Sequence, residues 1–184
     1  MDKMKKASLA AQVSPVSPAD HVRGSPFAKV TLVGYGDFAC PECEETYRTV
    51  KTIQKKMGTR LRYVFRSFPQ PEKYENSEEA AEAAECASTQ GKFWEMHDRL
   101  FENQGASDEV HLSRYATDLG LNLRQFRREM REHTHRGKIR AGRKAGVRRG
   151  IVRAPTVLID YSEHKSAFGL ATLLAAVQAA AGVS

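Results

Sequence analysis

Two cysteines near the start of the chain could do chemistry together. The stretch "YGDFACPECEE" (35–45) places Cys40 and Cys43 one helical turn apart, after an apolar run and before an acidic segment. This spacing occurs in zinc clips, in small structural disulfides and in reactive redox pairs. The rest of the sequence has to distinguish these three chemistries.

Neither zinc nor a static disulfide suits the pair. A structural zinc site needs four ligands, whereas Cys86 is isolated and His133 and His135 are only two residues apart. A disulfide across two intervening residues closes too small a loop to restrict the unfolded chain much. We therefore expect no metal at this pair and favour the redox interpretation.

Local sequence around the pair supports a reactive thiolate. Cys40 is expected at a helix N-terminus, where free N–H groups stabilise a thiolate, and Pro41 suits the first helical turn. Cys43 lies one turn further, where it can resolve a mixed disulfide formed at Cys40. The negative charge of Glu42 should raise the pKa of Cys40, which predicts a weaker oxidant than a protein with His at this position.

The elements around the pair form a β-α-β unit. The segment 29–38 is an apolar, β-branched strand, and 60–69 alternates like a second strand. Between them a helix is expected from Cys40 to Gly58. Its apolar residues recur at spacings of three and four, as Tyr47, Val50, Ile53 and Met57.

The remainder predicts a helical block followed by a short α/β segment. Residues 76–149 show no strand pattern, 151–160 read as a strand interrupted by Pro155, and 164–168 should form a returning strand before a last helix. The fold class is therefore α/β, a thioredoxin-like fold with an inserted helical subdomain. The predicted segments are a flexible lead-in (1–25), a β-α-β half (26–75), the helical subdomain (76–149) and a C-terminal half (150–184).

Composition excludes several classes of protein. The 184 residues carry a net charge of +7, and three cysteines are too few for a disulfide-dense secreted domain. No apolar run approaches the roughly 20 residues that span a bilayer. The N-terminus lacks the apolar segment of a secretory signal, so we expect a cytoplasmic protein, or a periplasmic one if a leader precedes the given start.

Four segments occur in the order found in DsbA-like thiol-disulfide oxidoreductases, and residues 22–180 resemble that family. The resemblance implies that Cys40 is the nucleophile and Cys43 the resolving thiol. It also places Pro155 in a cis-proline loop facing the pair, with Ala154 offering its backbone to a substrate chain. The segments are "VTLVGYGDFACPEC", "GKFWEMHDRLFENQ", "YATDLGLNLRQF" and "GIVRAPTVLID".

Two positions depart from the family pattern. Many relatives carry an acidic residue where Gly34 stands, so a proton-relay role at that position is in doubt, and Asp37 is expected in a loop. The segment 160–168 also differs from the usual Asn-Gly hairpin after the proline loop.

Other notable residues have structural interpretations. Cys86 is expected to be a small buried residue, Phe93, Trp94 and Phe101 to fill the core, and His97 to be a hydrogen-bonded helix residue. Twelve Lys or Arg residues lie between positions 124 and 153. A solvated helix face is favoured over a binding surface for this run, and nucleic-acid binding is not expected.

The main hypothesis is thiol-disulfide exchange on protein or small-thiol disulfides, with glutathione or a thioredoxin-type protein as the redox partner. No cofactor and no membrane partner are required. One alternative is a glutathione-dependent transferase or isomerase on the same scaffold. Another is a basic binding module in which the cysteines are incidental.

Overall fold

A mixed five-stranded sheet forms the centre of the molecule. The computed structural model describes residues 15–183. Within the sheet, β2 and β3 are parallel and the remaining neighbours are antiparallel, in the order β1-β3-β2-β4-β5. The strands are β1 (His21–Gly24), β2 (Val30–Gly36), β3 (Leu61–Ser67), β4 (Thr156–Ile159) and β5 (Ser162–Glu163).

Helices cover the sheet and fill the connection between β3 and β4. Five of them follow one another in that connection, which confirms the predicted α/β class with inserted helices. None of the helices in residues 15–183 combines the length and apolar character that crossing a membrane requires. The helices are α1 (Pro41–Met57), α2 (Ser77–Ser88), α3 (Phe93–Glu102), α4 (Glu109–Asp118), α5 (Leu123–Arg131), α6 (Arg136–Arg148) and α7 (Leu170–Ala181).

The β2–α1–β3 unit forms as the sequence predicts. Every residue of β2 is buried, because helices cover the strand while β3 and β4 flank it. The α1 face containing Tyr47, Val50, Ile53 and Met57 packs into the core, and the helix ends at Gly58 with a positive φ of 55°. The strands beside β2 and the core contacts of α1 therefore fix the junction between these two elements.

Two predicted boundaries need correction. The predicted lead-in (1–25) contains β1, whose residues pair with β3 at the sheet edge; residues 1–14 lie outside the described residues. The returning strand is Ser162–Glu163 and not 164–168. Positive φ angles at Asp160 and Tyr161 reverse the chain immediately after β4, so the pairing begins earlier than the apolar pattern indicated.

The basic run is largely paired in α6. This helix lies against the acidic face of α2, so the face that was expected to be solvated is an interhelical contact along part of its length. The arginines of α5 differ, since no ion pair joins them to a described residue; they are Arg124, Arg127, Arg128 and Arg131. The pairs with α2 are Arg136–Glu82 at 3.0 Å, Lys138–Glu85 at 2.6 Å and Arg140–Glu78 at 2.7 Å. Arg143 pairs at 2.6 Å with Glu72, which precedes α2.

Candidate active site

Cys40 and Cys43 lie at the β2–α1 junction as free thiols. Cys40 is the N-cap of α1 with extended backbone (φ −89°, ψ 119°), and Pro41 occupies the first turn. The Cys40 carbonyl accepts hydrogen bonds from the Cys43 and Glu44 amides at 3.0 and 3.2 Å. Both thiols are buried.

The surroundings of Cys40 favour its thiolate. A hydrogen bond from the Cys43 side chain is the largest influence and lowers the pKa of Cys40 to about 7, against the opposing effect of burial. The Cys43 backbone amide and the Tyr74 hydroxyl lower this pKa further. Hydrogen bonding to the Cys40 sulfur in turn raises the pKa of Tyr74 to about 12. At neutral pH a large fraction of Cys40 is therefore ionised.

Cys43 has the opposite character. Burial raises its pKa strongly, and its hydrogen bond to Cys40 adds to this effect because the thiol is the donor. The backbone N–H of Asp37 donates to the Cys43 sulfur at 3.5 Å, which favours the thiolate only partly. The two sulfurs therefore differ in ionisation as a nucleophile and a resolving thiol do.

Asp37 is a site residue that the sequence pattern did not identify. Its carboxylate is buried and accepts hydrogen bonds from the Gln70 amide at 2.8 Å, the Ser77 hydroxyl at 2.7 Å and the Ala39 amide at 3.0 Å. Burial still raises the pKa of Asp37, and its charge raises the pKa of both cysteines. Asp37 therefore opposes ionisation of the pair.

The predicted proline loop faces the cysteines across the site. The Ala154–Pro155 peptide bond is cis, and the Cys40 sulfur lies 4.0 Å from the Ala154 carbonyl oxygen. The side-chain oxygen of Gln70 lies 3.5 Å from the Ala154 amide. Because Gln70 also binds Asp37 through its backbone, one buried polar chain links the loop to the cysteine side of the site.

Glu42 lies at the edge of the site. Its side chain is 67% exposed, and its carboxylate is 3.9 Å from the Arg153 guanidinium. The largest influences on the pKa of Cys40 come from Cys43, burial, Tyr74 and Asp37, so the predicted tuning by Glu42 stays a prediction.

Tyr74 and Asp37 escaped the sequence analysis for different reasons. Tyr74 lies in the β3–α2 connection, far from the cysteines in sequence, and no spacing links it to them. Asp37 is only three residues from Cys40, and that proximity was a usable signal, but its burial depends on Gln70 and Ser77.

The remaining candidates are core residues. Phe93 and Phe101 are buried and Trp94 is partly buried, and they surround His97, whose Nδ1 lies 2.9 Å from an Asp98 carboxylate oxygen. Burial lowers the pKa of His97 to about 4, so its imidazole is neutral. Cys86 is fully buried in α2, as expected.

Comparison with known proteins agrees with this geometry. The sequence model of the thioredoxin family matches residues 16–179. The thiol-disulfide exchange protein alpha-DsbA2 of Wolbachia pipientis superposes with a TM-score of 0.80 at 18% identity, covering 97% of this chain and 96% of that one. A thioredoxin-like oxidoreductase from Silicibacter pomeroyi DSS-3 has a TM-score of 0.76 at 26% identity, with 97% and 99% covered. The DsbA-like fold implied by the sequence is thus confirmed.

A curated relative is much longer than this chain. The Na(+)/H(+) antiporter NhaA 1 of Mycolicibacterium gilvum is 34% identical over 171 residues. These residues make up 91% of this chain but 28% of the antiporter. The chain therefore spans little more than a quarter of the length of that relative.

Proposed function

The chain belongs to the thioredoxin family, and on that premise we propose that it is a thiol-disulfide oxidoreductase working through Cys40 and Cys43. The solved structures with this DsbA-like fold include a thiol-disulfide exchange protein, which agrees with the enzyme class predicted from the sequence. The observation that carries the proposal is the asymmetry of the pair. The pKa of Cys40 is lowered to about 7, whereas that of its neighbour is raised.

The exchange proceeds in two steps. The Cys40 thiolate attacks one sulfur of a substrate disulfide, whose S–S bond breaks as one substrate thiolate leaves and a mixed disulfide forms. Cys43 then loses its proton and attacks the Cys40 sulfur, which displaces the second substrate thiolate. The substrate gains two electrons and the protein gains a Cys40–Cys43 disulfide; the reverse sequence oxidises a dithiol.

We propose that a substrate chain binds in a groove next to Glu42 and Pro155, which adjoin the cysteine pair. This groove runs between α1 and the proline loop, and both walls carry charged and polar groups. Protein or small-thiol disulfides are therefore the proposed substrates, with glutathione or a thioredoxin-type protein as the redox partner. A cytoplasmic location stays a proposal. The residues that line this groove include Glu42, Thr46, Arg153, Thr156, His164 and Phe168.

Single cysteine variants test this assignment. Cys40→Ser should abolish the acceleration, above the uncatalysed rate, of the reduction of a model protein disulfide by dithiothreitol. Cys43→Ser should still attack and should accumulate a mixed disulfide that intact-mass spectrometry detects. Cys86→Ser, which removes a buried thiol outside the site, should keep full turnover. Turnover by Cys40→Ser would overturn the proposal.

A further inference from the structure

A small cavity lies beneath Cys43. Its walls include Gly34, Tyr47, Tyr63 and Pro155, and its volume is about 20 Å³. A space of this size holds one water molecule when polar groups are available to bind it. The Cys43 sulfur and two tyrosine rings are among the groups that line it.

The hydroxyl of Tyr63 is available for such a water. Tyr63 is 6% exposed, and its hydroxyl has no hydrogen-bond partner among residues 15–183. Its oxygen lies over Gly34, 2.8 Å from where a Cβ of residue 34 would be. One water in the cavity would give this hydroxyl a hydrogen-bond partner.

The resolving step needs a polar group that stabilises the thiolate of Cys43. Cys43 must become a thiolate in a buried position before it can attack the mixed disulfide. The Asp37 carboxylate is already engaged with Gln70, Ser77 and Ala39. Tyr63 of β3 lines the same cavity as Cys43 and is not engaged in this way.

We propose that Tyr63 is a positioning residue for the resolving step, in which its hydroxyl holds one water that donates a hydrogen bond to the forming Cys43 thiolate. The inference rests on the proposed function. The step forms the Cys40–Cys43 bond and breaks the bond between Cys40 and the substrate sulfur. The proton lost by Cys43 ends on the departing substrate thiolate, so no further reactant is needed.

Several charged and titratable groups surround this pair. Cys40 and Asp37 act on Cys43 from the start of α1 and the end of β2. Arg23 of β1, Asp98 of α3 and Tyr47 of α1 act on Tyr63, whose pKa is raised by burial and then by Cys43. The test variant of Tyr63 should therefore change only the hydroxyl of that residue.

Tyr63→Phe removes only the hydroxyl, and Tyr47→Phe is the matched control. The Tyr47 ring lines the same cavity, but its hydroxyl pairs with Glu102 at 3.1 Å and Lys51 at 2.7 Å. Stopped-flow measurement across a pH series separates the two steps. Alkylation of Cys40 reports the first thiolate, and release of the second substrate thiol reports resolution.

Tyr63→Phe should slow resolution about tenfold, the loss expected for one hydrogen bond to a charged group, and shift its pH midpoint upward. Alkylation of Cys40 should not change, and Tyr47→Phe should leave both steps intact. An unchanged resolution rate and midpoint in Tyr63→Phe would overturn the inference. If the wild-type protein releases no second thiol, the proposed function itself fails, so the two failures are distinguishable.

A second cluster lies in the helical block, away from the cysteine pair. Cys86 of α2, Glu129 of α5 and His135 just before α6 each offer one ligand atom, and these atoms lie within 4.8 Å of one another. Gln125 donates to the Glu129 carboxylate at 2.8 Å and Thr89 at 3.3 Å, which fixes its orientation. Three separate elements thus converge on one point.

The donor set suits a divalent ion. A thiolate, a carboxylate and a neutral imidazole are ligands that zinc prefers, and their charges neutralise Zn²⁺. Glu82, one turn before Cys86 on the same helix, has a buried carboxylate oxygen without a partner among the described residues. Its other oxygen pairs with Arg136 at 3.0 Å, and the charge of the carboxylate acts on Cys86.

The structure assigns to Cys86, Glu129 and His135 a zinc site with its fourth position open to water. Cobalt is a suitable probe, because a cobalt–thiolate bond has a near-ultraviolet charge-transfer band. The titration uses a protein with Cys40→Ser and Cys43→Ser, so that the redox pair cannot bind the metal. One cobalt per chain should bind, and zinc should displace it.

Cys86→Ala should abolish the band, and His135→Ala should weaken binding at least tenfold. His111→Ala, which removes an exposed histidine paired with Asp108, is the control and should bind normally. Zinc should also raise the thermal midpoint of the parent but not of Cys86→Ala. Absence of saturable binding, or equal binding by Cys86→Ala, would overturn the assignment.

Discussion

The Tyr63 hydroxyl lies 2.8 Å from the position that a Cβ atom would occupy on residue 34. Gly34 of β2 and Tyr63 of β3 therefore share one space in the cavity that Cys43 also lines. The Tyr63 Cε2 atom is also close to that position, at 3.3 Å. A side chain at residue 34 and the ring of Tyr63 compete for the same volume.

Gly34→Ala should therefore destabilise the protein by about 1–3 kcal/mol, the usual cost of overpacking. Adding Tyr63→Phe should recover part of this loss, because the closest contact is to the hydroxyl. Urea unfolding of both single variants and the double variant measures the coupling. Gly142→Ala in α6, where a Cβ meets nothing within 4 Å, should be neutral or stabilising. A Gly34→Ala protein of unchanged stability would contradict the crowding.

Alkylation of reduced Cys40 should follow a thiolate with a pKa of about 7. Tyr74→Phe should raise that midpoint, because the variant removes a hydrogen bond that favours the thiolate. The rate of reaction with iodoacetamide across a pH series measures both values. Tyr115→Phe, in α4 of the helical block, serves as the control. A midpoint that falls in Tyr74→Phe would show that the hydroxyl opposes ionisation.

Arg136→Ala should destabilise the fold by about 2 kcal/mol. Glu82 is only 1% exposed, and its Oε2 atom accepts from Arg136 at 3.0 Å, so the variant weakens the compensation of a buried charge. Arg128→Ala in α5, which removes an arginine without an ion pair to a described residue, should change stability by less than about 0.5 kcal/mol. Chemical denaturation compares the two; equal effects would mean that the α2–α6 pairs contribute little.

Glu42→His should make the pair a stronger oxidant. A cation in place of the carboxylate stabilises the Cys40 thiolate, and a more stable reduced form raises the reduction potential. Glu42 is 67% exposed, so the effect should shrink as salt is added. Equilibration with glutathione buffers measures the potential, with Glu132→Gln in the helical block as control. A potential that is lower than that of the wild-type protein would refute the predicted tuning.

Local patterns were sufficient for the framework of the site. The apolar strand 30–36, the amphipathic helix from Pro41 to its end at Gly58, and the two cysteines at their junction all follow from short-range rules. Hydrophobic periodicity and turn residues act over a few positions. The sequence therefore predicted the β-α-β unit and the place of Cys40 in it.

These short-range rules could not predict how the strands at the two edges of the sheet pair. β1 and β5 are short strands, and their places depend on β3 and β4. Neither β1 nor β5 has a strong pattern of its own. The register of β1 is set by β3, which lies far away in sequence. The register of β5 is set by β4, through a turn whose residues have positive φ angles.

By itself, the sequence determined that a cysteine pair begins a helix after a buried strand on a thioredoxin-like scaffold. Only the tertiary structure decided which groups act on that pair, by bringing Tyr74, Asp37 and Ala154 to its sulfurs and Tyr63 to the cavity below. It also decided that Cys86, Glu129 and His135 meet. The physical reason is that pKa values and ligand sets depend on distances in space, and residues separated by tens of positions acquire those distances only when the chain packs.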